Sequence, residues 1–169
     1  ENFVLTFAAS YIDSTYNDFK NGPCDRTFVP PASDDCPIVN GGPARVKDFT
    51  GRTPSGVPEL AVTVSGTYTF NLTENMTGYI RGEYVYEDEY QATDAVPVEV
   101  PGALRKVGTL NASLGVKDSA SGFSLMLWGR NINDDEFIYT GFNVPGSPGS
   151  YAGYPVVPKM WGLTLSREF

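Results

Sequence analysis

The residue types that most often perform enzyme chemistry are scarce in this sequence of 169 residues. Histidine is absent, which removes the commonest general base near neutral pH and the commonest metal ligand. Neither of the two cysteines, Cys24 and Cys36, has a base close to it in the sequence that would activate a thiolate nucleophile. We therefore expect no catalytic residues, no resident metal or cofactor, and no enzyme activity.

The two cysteines lie together in a stretch rich in Pro, Asp and Gly. A close pair in one loop, with no other metal-ligating residue types clustered around it, is typical of a disulfide formed in an oxidising compartment. The alternative is a pair of free thiols in a reducing cytosol. The sequence favours a disulfide between Cys24 and Cys36 that stabilises its own loop.

Two acidic runs could suggest a cation site. The segment 133–136 carries three carboxylates, but it lacks the alternate-position spacing and the glycine of an EF-hand loop. We interpret it as the solvated start of a loop, and we interpret the run 87–89 in the same way.

Two groups of loop residues could contact a ligand. Aromatic residues among glycines could bind a flat or chelated ligand, or could pack against one another; they are Tyr139, Phe142, Tyr151 and Tyr154. Two cations in the cysteine-containing loop, Arg26 and Arg45, could attract an anionic chelate or could simply be solvated charges. The formal net charge of −8 argues against a nucleic-acid partner, because phosphate binding needs a clustered basic surface.

Period-2 alternation of apolar and polar residues dominates the chain and predicts an all-β fold. We expect six strands, at about 2–16, 58–72, 76–86, 105–117, 123–132 and 158–169. The loops between them alternate in length, with long loops at about 18–57, 87–103 and 133–157. The chain enters the first strand at once, without an initiator Met or a signal peptide, as if cut from a longer protein.

Alternating long and short connections are typical of an antiparallel transmembrane β-barrel, which has short periplasmic turns and long extracellular loops. A soluble β-sandwich also has alternating strands, but three features argue against it. The predicted strands are longer than usual for soluble sheets, aromatic residues lie near strand ends, and the second face is mostly small and neutral. A face of small, neutral residues would suit the inner wall of a barrel that is packed around a plug.

Several segments resemble the C-terminal part of TonB-dependent outer-membrane receptors. Residues 123–137, FSLMLWGRNINDDEF, are similar to the family's penultimate strand, and residues 158–169, PKMWGLTLSREF, resemble its final strand. Upstream, GRTPSGVP at 51–58 and the Tyr-rich YVY at 84–86 also fit. Phe137 and Lys159 depart mildly from the pattern, which more often has Tyr and Arg there.

The resemblance implies that these are the last six strands of a barrel of about 22 strands with an N-terminal plug. It implies active uptake of a scarce nutrient such as an iron–siderophore complex, energised by the inner-membrane TonB complex through the plug. The partners implied are outer-membrane lipid, the rest of the barrel and the barrel assembly machinery. That machinery would read the C-terminal strand as an assembly signal, through Trp161, Leu163, Leu165 and Phe169.

Two other functions remain open from the residues alone. One is a secreted or surface β-domain that acts as a binding or structural module without transport, and the other is a passive porin. Six strands are fewer than the roughly 8 of the smallest bacterial barrels. We therefore expect that residues 1–169 do not close into a barrel by themselves.

Overall fold

The computed structural model describes residues 2–23, 46–147 and 149–168, and all regular secondary structure in them is β-strand. No helix in these ranges is long and apolar enough to span a membrane. The strands are β1 (Phe3–Tyr11), β2 (Gly22–Pro23), β3 (Val46–Lys47), β4 (Leu60–Asn71), β5 (Met76–Gln91), β6 (Leu104–Asp118), β7 (Phe123–Arg130), β8 (Ile138–Asn143), β9 (Tyr151–Pro155) and β10 (Met160–Arg167).

Six strands form one antiparallel sheet in the order β1-β4-β5-β6-β7-β10. The all-β class and the six-stranded antiparallel sheet predicted from the sequence are thus confirmed. Within the described ranges the sheet is open, because β1 and β10 are its two edges and do not pair with each other. Two short hairpins, β2–β3 and β8–β9, lie outside this sheet.

Some predicted strand limits were wrong. The first strand ends at Tyr11 and not at residue 16, because the chain leaves β4 after Ile12 and Tyr16 bonds instead to the loop backbone at Arg52 and Gly51. The third strand was expected to end at residue 86. It continues to Gln91, because its ladder with β6 resumes beyond an irregularity between Glu87 and Tyr90. The loop predicted at 133–157 contains the β8–β9 hairpin.

The register aligns the apolar residues of all six strands on one face. A single row of paired residues crosses the whole sheet, through Phe3, Tyr68, Ile80, Leu114, Leu127 and Leu163. Each of these six side chains is between 43% and 67% exposed. We call this side of the sheet the apolar face, and the side that carries the alternate residues the polar face.

The apolar face has no second layer of protein over it within the described residues. The buried apolar residues are few, and they lie in the loops or where the strands meet them: Phe49, Val96, Ala103 and Val107. A soluble sandwich would instead bury one face of this sheet against another layer.

Several glycines lie opposite an aromatic ring on the neighbouring strand. Gly162 pairs with Trp128, and Gly129 pairs with Trp161. In both cases a Cβ added to the glycine would collide with the indole. Phe70 covers Gly78 and Tyr79 covers Gly115 in the same way. These rings therefore occupy space that only glycine leaves open.

Candidate functional site

The strand that the sequence predicts as an assembly signal is an edge of the sheet. Pairing of β10 with β7 places Trp161, Leu163 and Leu165 on the apolar face, where they are 60%, 67% and 68% exposed. The fourth predicted residue, Phe169, lies outside the described residues. The described part of β10 thus combines an exposed apolar surface with a backbone edge that has no partner strand in the described sheet.

All three long connections join strands at the same end of the sheet. They link β1 to β4, β5 to β6 and β7 to β10, whereas the short turns at 72–75 and 119–122 lie at the opposite end. We call these the long-loop end and the short-turn end. The four aromatic ligand-contact candidates lie on the third of these connections.

The β8–β9 hairpin separates the four aromatic candidates. Phe142 and Tyr154 contact each other, with ring centroids 5.6 Å apart, and both rings are exposed. Tyr139 also has an exposed ring, but it sits over a guanidinium group described below. Tyr151 is half-buried and lines a small cavity beneath the other face of the hairpin. The structure therefore brings together Phe142 and Tyr154, and not all four.

Arg105 joins the third long loop to the β5–β6 hairpin and was missed by sequence reasoning. Its guanidinium forms an ion pair of 3.0 Å with Glu87, and its side chain is only 14% exposed. It also lies 4.8–5.5 Å from three ring centroids, those of Tyr90, Phe137 and Tyr139. Since Phe137 and Tyr139 belong to the third long loop, this one cation holds that loop against the β5–β6 hairpin.

Tyr90 completes this cluster around Arg105. Its hydroxyl donates a hydrogen bond of 2.8 Å to Glu87. Burial, reinforced by that bond to a carboxylate, raises the pKa of Tyr90 to about 12, although the Arg105 charge acts in the opposite direction. The residue lies beyond the irregularity in β5 and beyond the part of that strand that pairs with β4, on the same side of the sheet as Arg105. The phenol stays protonated and keeps its donor role well into the alkaline range.

The acidic segment 133–136 forms hydrogen bonds with the backbone of β6. Asn133 and Asp135 accept hydrogen bonds from the backbone amides of Leu110 and Gly108, at 2.8 and 2.6 Å. These side chains continue the ladder along β6 after β7 has ended at Arg130. Among the described residues, no group of three or more carboxylates or cysteines could hold a metal ion.

Asn131 fastens the beginning of this loop to its end. It is 3% exposed and has a positive φ of 49°. Its Nδ2 donates to the carbonyls of Asp135 and Val157, at 2.8 and 3.1 Å, and its Oδ1 accepts from the amide of Asp135 at 2.8 Å. The only sequence signal for this role was its position in the motif that resembles the receptor family.

A cavity of about 780 Å³ lies at the long-loop end of the apolar face. Its wall on the sheet is formed by Tyr84, Tyr86 and Lys106, and its outer wall by the segments 134–138 and 155–158. Its volume is in the range of small-molecule pockets. It is lined by more carboxylates than cations.

A polar trough of about 740 Å³ crosses the middle of the polar face. Arg81 and Glu83 on β5 form one side of it, where they make an ion pair of 2.9 Å. Trp128 and Arg130 on β7 form the other side, with Ser113 of β6 between them. The trough lies on the face that the alternation pattern assigned to small and neutral residues.

Besides Phe169, four predicted site residues fall outside the described ranges. They are the proposed disulfide partners Cys24 and Cys36, and the two candidate ligand-contact cations Arg26 and Arg45. Their roles stay as sequence-based predictions.

Compared with family models, curated proteins and solved structures, the chain has no match.

Proposed function

We propose that this chain is the C-terminal portion of a TonB-dependent outer-membrane receptor, part of an active transporter for a scarce nutrient such as an iron–siderophore complex. The observation that carries the proposal is the row of six exposed apolar side chains that crosses every strand of the sheet. The transport function and the link to TonB are inferred from the segments that resemble the family.

Contact between the apolar face and water is unfavourable, so this face should be covered in the complete protein. Complete burial of one large apolar side chain is worth about 1.5–3 kcal/mol. The six residues of the central row leave roughly half their surface accessible. Covering that row alone therefore contributes on the order of 5 kcal/mol, and the other rows of the same face add to it.

The dimensions of the sheet suit lipid as that cover. β4 has 12 residues, and at about 3.3 Å per residue it extends roughly 40 Å. A strand tilted by about 45° would cross roughly 28 Å along the membrane normal, close to the apolar band of about 25 Å in outer-membrane barrels. Rings near the strand ends, such as Phe3 and Trp161, would lie at the two interfaces.

This proposal assigns an orientation and a set of partners. The long-loop end would face the cell exterior and the short-turn end the periplasm, with the C-terminus periplasmic. Unpaired strand edges in lipid cost several kcal/mol for each unsatisfied backbone group. The edges of β1 and β10 would therefore pair with other strands of the complete barrel, and the polar face would surround its plug. TonB would act through that plug.

The ligand-contact residues remain part of the proposal. The exposed pair Phe142 and Tyr154, on a hairpin at the proposed exterior end, offers two adjacent rings to an arriving flat ligand. Tyr139 and Tyr151 would support that hairpin, because one packs on Arg105 and the other lines the cavity beneath.

Uptake by cells tests the proposed function. We would delete the gene in its host and measure the uptake of a panel of ⁵⁵Fe-labelled siderophores, with and without the restored gene, in strains with and without functional TonB. The proposal predicts uptake of at least one complex that needs both the gene and TonB. Gene-dependent uptake without TonB would indicate a passive porin, and surface binding without uptake would indicate a binding module; either result contradicts the proposal.

A further inference from the structure

Among the described residues, the cations on the polar face of the strands are paired with carboxylates, with one exception. Arg81 pairs with Glu83, Arg105 with Glu87 and Lys117 with Glu168, at 2.9–3.0 Å in each case. Arg130 has no carboxylate partner in the part of the chain that the structure describes. Because the chain as a whole carries a net charge of −8, an unmatched cation on this face is unexpected.

The unmatched guanidinium is held in place by an aromatic platform. The carbon at the centre of the Arg130 guanidinium lies 5.4 Å from the centroid of the Trp128 ring, over its face. The indole is itself fixed, since it packs on Gly162 and its Nε1 donates to the hydroxyl of Thr164 at 3.2 Å. An arginine that stacks on a fixed ring loses less side-chain entropy when its N–H groups bind a partner.

The carboxylate that lines the trough, that of Glu83, does not pair with Arg130. Glu83 accepts hydrogen bonds from Arg81 at 2.9 Å and from Asn111 at 3.3 Å, so its oxygens are already engaged. It stands on β5, two strands away from Arg130 on β7, a separation of roughly 10 Å. Ser113, between them, adds a hydroxyl to the floor of the trough.

We propose that this trough binds the carboxylate of a small, flat organic anion, through the guanidinium of Arg130 on its Trp128 platform. The planar fork of a guanidinium matches a carboxylate with two parallel hydrogen bonds. The trough volume of about 740 Å³ leaves room for a ring beside the indole. The inference rests on the proposed function, because it takes the polar face to be the wall of a solvent-accessible interior.

The test uses the full-length protein in detergent and two probes of nearly the same shape. 4-Fluorobenzoate carries the carboxylate and 4-fluorobenzamide is its neutral counterpart, and ¹⁹F NMR measures the binding of each. We expect 4-fluorobenzoate to bind with a dissociation constant on the order of 1 mM. We expect the benzamide to bind about tenfold more weakly or not at all, since it lacks the charge-assisted bonds.

Three variants locate the binding group. Arg130→Gln should weaken 4-fluorobenzoate binding about tenfold. Arg130→Lys, which keeps the charge without the fork, should give a smaller loss. Lys117→Gln, which removes a paired cation at the short-turn end of the same face, should leave binding unchanged. Arg130 is exposed, so none of its variants should impair folding.

Other results would overturn the inference. Equal binding of the two probes, equal binding by the Arg130→Gln variant, or no binding of 4-fluorobenzoate to the wild type would each do so. None of these results depends on TonB or on uptake, so a failure here leaves the uptake experiment to decide the proposed function separately.

Discussion

The indole of Trp128 covers Gly162 on the neighbouring strand, so closely that a Cβ at Gly162 would overlap the ring. The reverse pair, Trp161 and Gly129, lies one register position away on the opposite face. Two tryptophans, one on each face, thus interlock β7 with β10 through glycines. The final strand is held by these ring contacts as well as by its backbone ladder.

Substitution of Gly162 by alanine should destabilise the protein, whereas the same change at Gly82 should not. The added methyl at Gly162 would displace the indole, and such overpacking costs about 1–3 kcal/mol. Gly82 is the matched control, because a Cβ there meets nothing within 4 Å. Denaturant unfolding in detergent or lipid vesicles measures both variants. Equal free energies of unfolding for the two would contradict the interlock.

Charge placed on the two faces of β1 should have very different effects. Leu5 lies on the apolar face and Thr6 next to it on the polar face, and both are exposed. If lipid covers the apolar face, Leu5→Arg should cost about 2–4 kcal/mol in vesicles, the value for the centre of the bilayer. Thr6→Arg should cost less than about 1 kcal/mol. A similar loss for both substitutions would mean that the faces do not differ in environment.

The sheet could be predicted from the sequence because its pattern is local. In β4, Leu60, Val62 and Val64 alternate with Ala61 and Thr63, and the observed register keeps that alternation. The irregularity between Glu87 and Tyr90 and the β8–β9 hairpin were not predicted. Neither the acidic run at 87–89 nor the aromatic and glycine-rich segment 138–155 carries a clean period of two.

The clusters at the long-loop end could not be predicted for a different reason. Arg105 meets Glu87 and Tyr139 only because the sheet brings three separate segments together. Nothing in the order of residues marks it, since its partners lie far away in the sequence. Trp128 and Arg130 are two residues apart on one strand, so the sequence places them on the same face. That Arg130 has no carboxylate partner among the described residues becomes visible only once the other cations are seen to be paired.

Removal of the Arg105 charge should release the β8–β9 hairpin. Arg105→Met removes the ion-pair partner of Glu87 and the cation that contacts three rings, with a local cost of about 1–2 kcal/mol. Amide hydrogen exchange across residues 138–155 should then accelerate about tenfold. Arg81→Met, which breaks an ion pair far from this hairpin, serves as the control. Unchanged exchange in the Arg105 variant would show that the hairpin is held by other contacts.

The same cluster should loosen at high pH. The pKa of Tyr90 is raised from 10.0 to about 12 in the folded protein, so its contribution to stability is fully present below pH 10. That contribution is lost as the pH rises through 12, when the phenolate forms beside the Glu87 carboxylate. Hydrogen exchange of the hairpin between pH 10 and 12 should therefore rise more steeply in the wild type than in Tyr90→Phe. Identical pH profiles would refute this role.

The two tryptophans of the sequence also report directly on which face meets lipid, since Trp161 lies on the apolar face and Trp128 on the polar face. The measurement is the quenching of tryptophan fluorescence by brominated lipids in the full-length protein, compared with its Trp161→Phe and Trp128→Phe variants. If the apolar face is in the bilayer, the lipid-quenched signal should decrease in Trp161→Phe and stay unchanged in Trp128→Phe. A lipid-quenched signal that persists fully in Trp161→Phe, or that disappears in Trp128→Phe, would contradict the assignment of this sheet to a membrane barrel.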